Sequence, residues 1–185
     1  LRINNMVELN DLISGSINND RISQKKIYDL YSSKLYSICL RYAKDSDEAN
    51  DILQDGFIKI FSNLRQFNKG NSFDGWVKRI IVNTAITNYN LQLKHYNQED
   101  ITEINESTIK DIDIKESDFT LEELLSTLKV LPQGTKTIFN LYAIEGYKHK
   151  EIAEILGITV STSKSQYHRG KKILQNKLFE LSKEK

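Results

Sequence analysis

The chain has 185 residues, 39% of them hydrophobic, and a formal net charge of +1, which is apolar material for one ordinary domain or two small ones. No run approaches the roughly 18 apolar residues of a spanning helix, and Leu1–Asn10 lacks the basic, apolar and small-residue succession of a secretory signal. Cys39 is the single cysteine, which excludes an intramolecular disulfide and a cysteine-based zinc cluster.

Between Ile38 and Leu40, Cys39 reads as a core thiol. Together these features lead us to expect a cytoplasmic protein with no direct membrane insertion. Met6 is a candidate start, with a few residues preceding it.

In chain order, Ile27, Tyr31, Leu35, Ile38 and Tyr42 recur at three- and four-residue steps, the spacing of one helix face. Asp45 is a candidate N-cap, with Glu48 three residues later, and Leu53, Phe57, Ile60, Phe61 and Leu64 form the stripe that follows. Gln66–Gly75 is rich in Gly, Asn and Asp and reads as a loop. A third long helix is expected from about Asp74 to Leu93. Residues 96–120 lose the helical stripe and alternate acidic residues with Ile and Thr, which reads as a flexible linker. Beyond it, Leu121, Leu124, Leu125, Leu128 and Leu131 share a helix face, and Pro132 suits the first turn of a new helix. Ile138, Leu141 and Tyr142 make that helix amphipathic as far as Gly146. A short helix over Glu151–Leu156, a turn at Gly157 and a final helix to about Leu181 complete an all-α chain.

Charge is segregated along this order. Residues 1–95 carry +3, residues 96–120 carry −6 and residues 121–185 carry +4. Two mildly basic blocks around an acidic segment suggest contact with nucleic acid through the blocks.

Three patterns carry candidate chemistry. EIAEILGITVSTSKSQYHRGKKIL, Glu151–Leu174, has the grammar of a helix-turn-helix: an apolar face with small Ala153, a reversal at Gly157, and Ile158 and Val160 as anchors. Its second helix presents Lys164, Ser165, Gln166, His168, Arg169, Lys171 and Lys172, types that contact phosphates and base edges. An ordinary helical hairpin with a solvated basic face fits the same residues. Earlier, Arg79, Asn83, Thr87, Asn90 and Lys94 line one polar helix face beside Phe67, Phe73 and Trp76. Aromatics next to a cationic, amide-rich face suit unstacked single-stranded bases, although a solvated face beside core aromatics, Trp76 above all, fits equally. Asp47, Asp51 and Asp55 form an acidic row at four-residue spacing. Metal sites on helices usually draw on several helices and add histidine, so docking a basic partner is the favoured reading of that row. No phosphate loop, nucleophile elbow or histidine–carboxylate motif is present. Neither an enzyme nor a cofactor is expected.

Two distant stretches match one family. DEANDILQDGFIKIFSNLRQF and SFDGWVKRIIVNTAITNY, Asp47–Phe67 and Ser72–Tyr89, resemble the promoter-melting domain of extracytoplasmic-function sigma factors of bacterial RNA polymerase. LPQGTKTIFNLYAIEGYKHKEIAEILGITVSTSKSQYHRGKKIL, Leu131–Leu174, resembles their second domain. The resemblance implies a melting and clamp-binding domain over 1–95 (region 2), an acidic linker over 96–120, and a helix-turn-helix domain over 121–185 (region 4). It further implies that Asp51, Gln54, Asp55 and Phe57 dock on the polymerase clamp of the core enzyme. The loop residues Phe67, Asn68, Lys69, Ser72 and Phe73, with Trp76 and Asn83, would capture a base flipped from the non-template strand of the minus-ten element. Lys78 and Arg79 would hold the neighbouring phosphates. Thr162, Lys164, Ser165, His168, Arg169, Lys171 and Lys172 would engage the minus-thirty-five element as duplex. An anti-sigma factor is a further implied partner, and a monomer is expected when the chain is free.

Three residues depart from the family pattern: Lys148 for a usual Ser, Ser163 for Val and Gly170 for Ala. Each is expected to weaken the second domain, the missing cap and the helical glycine by about 1 kcal/mol apiece. The competing reading is a helix-turn-helix regulator that binds duplex DNA and never melts it.

Overall fold

Helices account for every regular element among the residues that the computed structural model describes, 2–68, 70–95 and 126–183. The acidic linker, Lys69 and the residues Leu121, Leu124 and Leu125 lie outside them. The chain divides into two compact units, Leu1–Tyr89 and Asn90–Lys185. The first unit holds α1 (Arg2–Ile17), α2 (Arg21–Tyr42), α3 (Ser46–Asn63), a 3-10 turn (Leu64–Gln66) and α4 (Phe73–His95), whose last turns run past the division.

Two helices of this unit, α2 and α3, start on an aspartate cap. Asp20 accepts the backbone N–H groups of Ile22 and Ser23 at 3.3 and 3.0 Å and opens α2. Asp45 accepts the N–H of Glu48 at 2.9 Å. The Glu48 carboxylate reaches back past the cap to the N–H of Lys44 at 2.7 Å and also takes the Asn88 amide at 3.2 Å. A capping pair thus becomes a tie between α3 and α4. α2 buries Ile27, Tyr31, Leu35, Ile38, Cys39 and Tyr42, and burial pushes the Cys39 thiol up to about 12, as a core residue requires. α3 buries Ala49, Ile52, Leu53, Gly56, Phe57 and Ile60, and α4 buries Val77, Ile81, Val82, Ala85, Ile86 and Tyr89. Gly56 allows the closest approach: a Cβ there would stand 2.2 Å from Cδ1 of Ile81. α1, which is not among the elements expected from the sequence, contributes Leu12 and Ile13 to this core.

The second unit holds α5 (Gln133–Phe139), a π-type turn (Asn140–Ile144), α6 (His149–Leu156) and α7 (Val160–Lys183), after a helical segment over residues 126–129. Pro132 stands just before α5 rather than in its first turn, and its carbonyl accepts the N–H of Lys136 at 2.8 Å. Ile138 and Leu141 are buried, but the wider π turn rotates Tyr142 out of their face and leaves it 38% exposed. Its ring stacks on His149, with centroids 4.1 Å apart and planes 11° from parallel, and meets Tyr167 at 4.5 Å. Gly146 and Gly157, at φ 78° and 66°, end the π turn and α6 in left-handed conformations that glycine adopts without penalty. Lys148 offers no acceptor at the start of α6, so only the Glu151 half of a capping box forms, taking the Lys148 N–H at 2.7 Å. Thr159 caps α7 through the N–H of Thr162 at 3.0 Å.

Ile152, Ala153 and Leu156 of α6 and Ser163, Gln166, Gly170 and Leu174 of α7 form the inner seam. Ser163 is fully buried, with its hydroxyl 2.9 Å from Nδ1 of His149. Burial first, then the charges of Lys164 and His168, lower the His149 pKa. Gly170 also has a packing reason: a Cβ there would lie 3.0 Å from the Thr135 methyl and 3.6 Å from the Phe139 ring.

Two predictions follow from this packing. Gly170→Ala alone should leave stability nearly unchanged, because crowding against Thr135 offsets the gain in helix propensity. Thr135→Ser removes the crowding methyl and keeps a hydroxyl for its bond to Gln166. The double variant should therefore gain about 1 kcal/mol in denaturant unfolding. Because the fold favours neutral His149, its contribution is fully present above the unfolded pKa of about 6.5 and is lost as pH falls through the lowered folded value. Thermal melts of the whole chain from pH 7.5 to 5 should show a slope that His149→Phe flattens; equal slopes would rule the effect out.

Candidate nucleic-acid interfaces

The first surface lies where the 3-10 turn gives way to α4. Phe67, Phe73 and Trp76 form one cluster, with centroids 5.1 Å apart for Phe67–Phe73, 5.4 Å for Phe67–Trp76 and 5.8 Å for Phe73–Trp76. Tyr31 of α2 supports it, edge-on to Phe73 at 5.3 Å. Phe73 is only 5% exposed. It forms the floor of the cluster, so the expectation that its ring stacks on a base does not match where it sits. Phe67 and Trp76 are half-buried and present ring surface to solvent.

The loop over this floor is held by its own polar groups. Oδ1 of Asn68 accepts the Gly70 N–H at 3.0 Å, the Asn68 carbonyl accepts the Asn71 N–H at 2.9 Å, and Ser72 Oγ accepts the Gly75 N–H at 3.3 Å. Asp74, in the first turn of α4, pairs with Lys34 at 2.5 Å. Burial, followed by the Asp74 charge and its hydrogen bond, pushes the Tyr31 phenol up to about 12. Tyr31, Lys34 and Asp74 thus fasten the loop's base to α2, a role their spacing of 40 and more residues hides from any local reading. Along α4, Arg79, Asn83 and Thr87 are exposed on one row, with Lys78 half-buried beside them. The Thr87 hydroxyl is turned back to the Asn83 carbonyl at 2.8 Å, which leaves the Asn83 amide as the outward group. Asn90 follows on the same helix, half-buried, while the Lys94 side chain lies outside the described residues.

On α3, Asp47, Asp51, Gln54 and Asp55 are exposed on one side. Phe57 is 4% exposed and packs on Tyr28 and Phe61, at 4.6 and 5.8 Å. Its ring is closed inside the unit, which corrects its place as a docking side chain. Ile58, 64% exposed, is the apolar residue that this helix offers outward, and an i, i+3 and i+4 reading had no reason to single it out. Among the described residues no group of three or more His, Cys, Asp or Glu is placed to hold a metal.

The third surface is the outer side of α7. Lys164, Ser165, His168 and Lys171 are exposed, whereas Thr162, Arg169 and Lys172 are half-buried. The hydroxyls of Thr162 and Thr159 bond to each other at 2.8 Å, and Ser165 Oγ donates to the Thr162 carbonyl at 3.1 Å. Thr162 therefore serves the start of the helix. Gln166 points inward, where its side-chain oxygen takes the Thr135 hydroxyl at 2.5 Å. Side-chain donors are left on Lys164, His168 and Arg169, with the positive charge of the lysine and the arginine, a set suited to phosphates and guanine edges. No helix among the described residues is long and apolar enough to cross a membrane.

Comparison with known proteins agrees with this division. Residues 27–92 match the family model for sigma-70 region 2, and residues 121–174 match that for sigma-70 region 4. The chain is 29% identical over 175 residues to an ECF RNA polymerase sigma-E factor of Haemophilus influenzae, covering 86% of this chain and 92% of that one. A sigma factor RpoE of Bartonella quintana, solved in complex with the anti-sigma factor NepR, aligns over 83% of this chain and 95% of its own at 21% identity, with a TM-score of 0.48. The ECF RNA polymerase sigma factor SigW of Bacillus subtilis is 31% identical over 166 residues, 84% of this chain and 88% of its own. With both regions present in order and identity at that level over nearly the full length, the chain belongs to the ECF sigma factors of the sigma-70 family.

Proposed function

We propose that the chain binds the core of bacterial RNA polymerase, directs it to particular promoters and favours their melting, with no bond-making chemistry of its own. One observation carries this reading. A single chain presents an exposed acidic face on α3, an aromatic and amide surface at the start of α4, and a basic outer side on α7, on units of the two types that the family uses together.

Residues 1–95 form the melting domain and residues 121–185 the duplex-reading domain. The acidic segment 96–120 threads toward the basic channels of the enzyme, where its charge imitates nucleic acid. Asp51, Gln54 and Asp55 meet the basic clamp, with Ile58 as the apolar contact, while Phe57 supports the helix from inside. Phe67 and Trp76 stack on a base released from the non-template strand. The Asn83 amide reads its edge, Lys78 and Arg79 hold phosphates, and Phe73 keeps the rings in place. Unpairing a base costs a few kcal/mol, which its capture offsets. Lys164, Ser165, His168 and Arg169 engage the minus-thirty-five duplex. The chain works in the cytoplasm, without a cofactor, as a monomer when free, and the family implies an anti-sigma factor that restrains it.

Co-elution with sigma-free core on gel filtration, followed by promoter-dependent transcripts, tests the reading. Duplex binding without co-elution would leave a plain regulator instead. Asp51→Lys with Asp55→Lys should abolish co-elution while leaving the helical circular dichroism intact. Trp76→Ala should weaken binding of holoenzyme to melted non-template strand by about 1–3 kcal/mol, with duplex binding unchanged. Lys164→Ala should do the converse, weakening duplex binding across sequences and reducing its salt dependence by about one ion.

A further inference from the structure

Ser163 is 0% exposed in the seam between α6 and α7. The family pattern places an apolar valine there, and an apolar contact is non-directional: it tolerates small slides and rotations of one helix on the other. A buried hydroxyl needs a partner at a set distance and angle. Here that partner is Nδ1 of His149, at 2.9 Å.

The imidazole is not free to wander. Tyr142 lies parallel on one face at 4.1 Å, and Tyr167 stands at 60° with its centroid 5.8 Å away. Tyr167 is itself stacked on Phe139 at 5.7 Å. Ser163 immediately precedes Lys164 and Ser165, so any constraint on it passes directly to the side chains that face outward.

We propose that His149 is a positioning residue for promoter recognition: its hydrogen bond to Ser163 sets the register of α7 against α6, and so decides which base edges Lys164, Ser165, His168 and Arg169 reach. This rests on the reading of α7 as the duplex-binding helix. The titratable and charged groups around the ring are Lys164, Tyr167 and His168 on α7 and Lys148, Lys150 and Glu151 beside it in sequence, while the π turn contributes the phenol of Tyr142. Burial first, then Lys164 and His168 on α7, disfavour the charged form of the imidazole. In the tautomer with its proton on Nε2, the neutral ring accepts the Ser163 hydroxyl at Nδ1.

The test uses the full chain bound to polymerase core, with duplexes that the wild-type holoenzyme selects from a randomised library and scrambled duplexes of the same length. The readout is the ratio of selected to scrambled affinity. His149→Phe keeps a ring for Tyr142 but strands the Ser163 hydroxyl; the ratio should fall about tenfold, with scrambled binding unchanged. His149→Asn places an amide oxygen near the position of Nδ1 and should retain the ratio. The double variant His149→Phe/Ser163→Val, which needs no hydrogen bond, should recover most of it. An unchanged ratio in folded His149→Phe overturns the proposal. So does an equal loss on both duplexes, which is what a smaller folded fraction produces. If the wild-type holoenzyme selects no sequence at all, the assignment of α7 itself fails, and that outcome is visible before any variant is made.

Discussion

The seating of Ile81 on Gly56 governs the first unit. With no side chain at Gly56, the fully buried Ile81 reaches the backbone of α3, and the approach fixes how α4 is rotated about its axis. That rotation has two consequences for function. It turns Val77, Val82, Ala85 and Ile86 inward, and so puts Arg79, Asn83 and Thr87 outward on a single row. It also leaves the far side of α3 uncovered, where Asp51, Gln54 and Asp55 stand. Lys59, whose ammonium bonds the Thr84 hydroxyl at 3.2 Å, and Glu48, bonded to Asn88, hold the same two helices at other points. One helix pair therefore carries both the proposed enzyme-facing surface and the proposed strand-facing surface. A shift in its packing would disturb the two together.

Helix faces were legible in the sequence because burial enforces a period of 3.6 residues. Ile27, Tyr31, Leu35, Ile38 and Tyr42 all lie inside. The Asp45–Glu48 start was equally legible, since a cap needs a short acceptor followed three residues later by a carboxylate. What periodicity does not carry is the fate of aromatic rings. Phe67, Phe73 and Trp76 look alike as a loop cluster, yet one is the floor and two are the surface. Tyr31, contributed from 36 residues before Phe67, decides which is which. Tyr142 shows the same limit in another way: a widened turn of α5 moved it off the face its spacing assigns, and no residue in Asn140–Ile144 announces that widening. α1 went unread for want of a strong stripe, although Leu12 and Ile13 in its second half are deeply buried.

The departures from the family pattern turn out to be linked through packing rather than independent losses. Gly170 makes room for Thr135 and Phe139. Thr135 in turn bonds Gln166, one turn earlier on the same helix. Ser163 gives up apolar contact and gains a directed bond to His149. Only Lys148, which leaves the first turn of α6 with half a cap, has no compensating partner at that position. Where the family relies on valine and alanine to seat its recognition helix, this chain uses hydroxyls, an amide and stacked rings. Directional contacts of that kind lose more when one member is removed than apolar ones do.

Charge then explains why the surfaces need one another. The cations on the outer side of α7, the proposed duplex-facing surface, are Lys164, Arg169, Lys171 and Lys172, two of them half-buried. Each phosphate neutralised changes the salt slope by only about 0.9, so four contacts place the isolated helix in the weak, largely non-specific range. The proposed strand-facing surface offers a similarly modest set, Lys78 and Arg79 beside two rings. Neither surface alone can select one site from a genome. Joined by the polymerase that α3 is proposed to engage, each acts at the effective concentration the other creates, and affinities too weak separately combine. A net charge of +1 suits this arrangement, because a strongly basic chain would settle on any DNA before finding the enzyme that gives its contacts meaning.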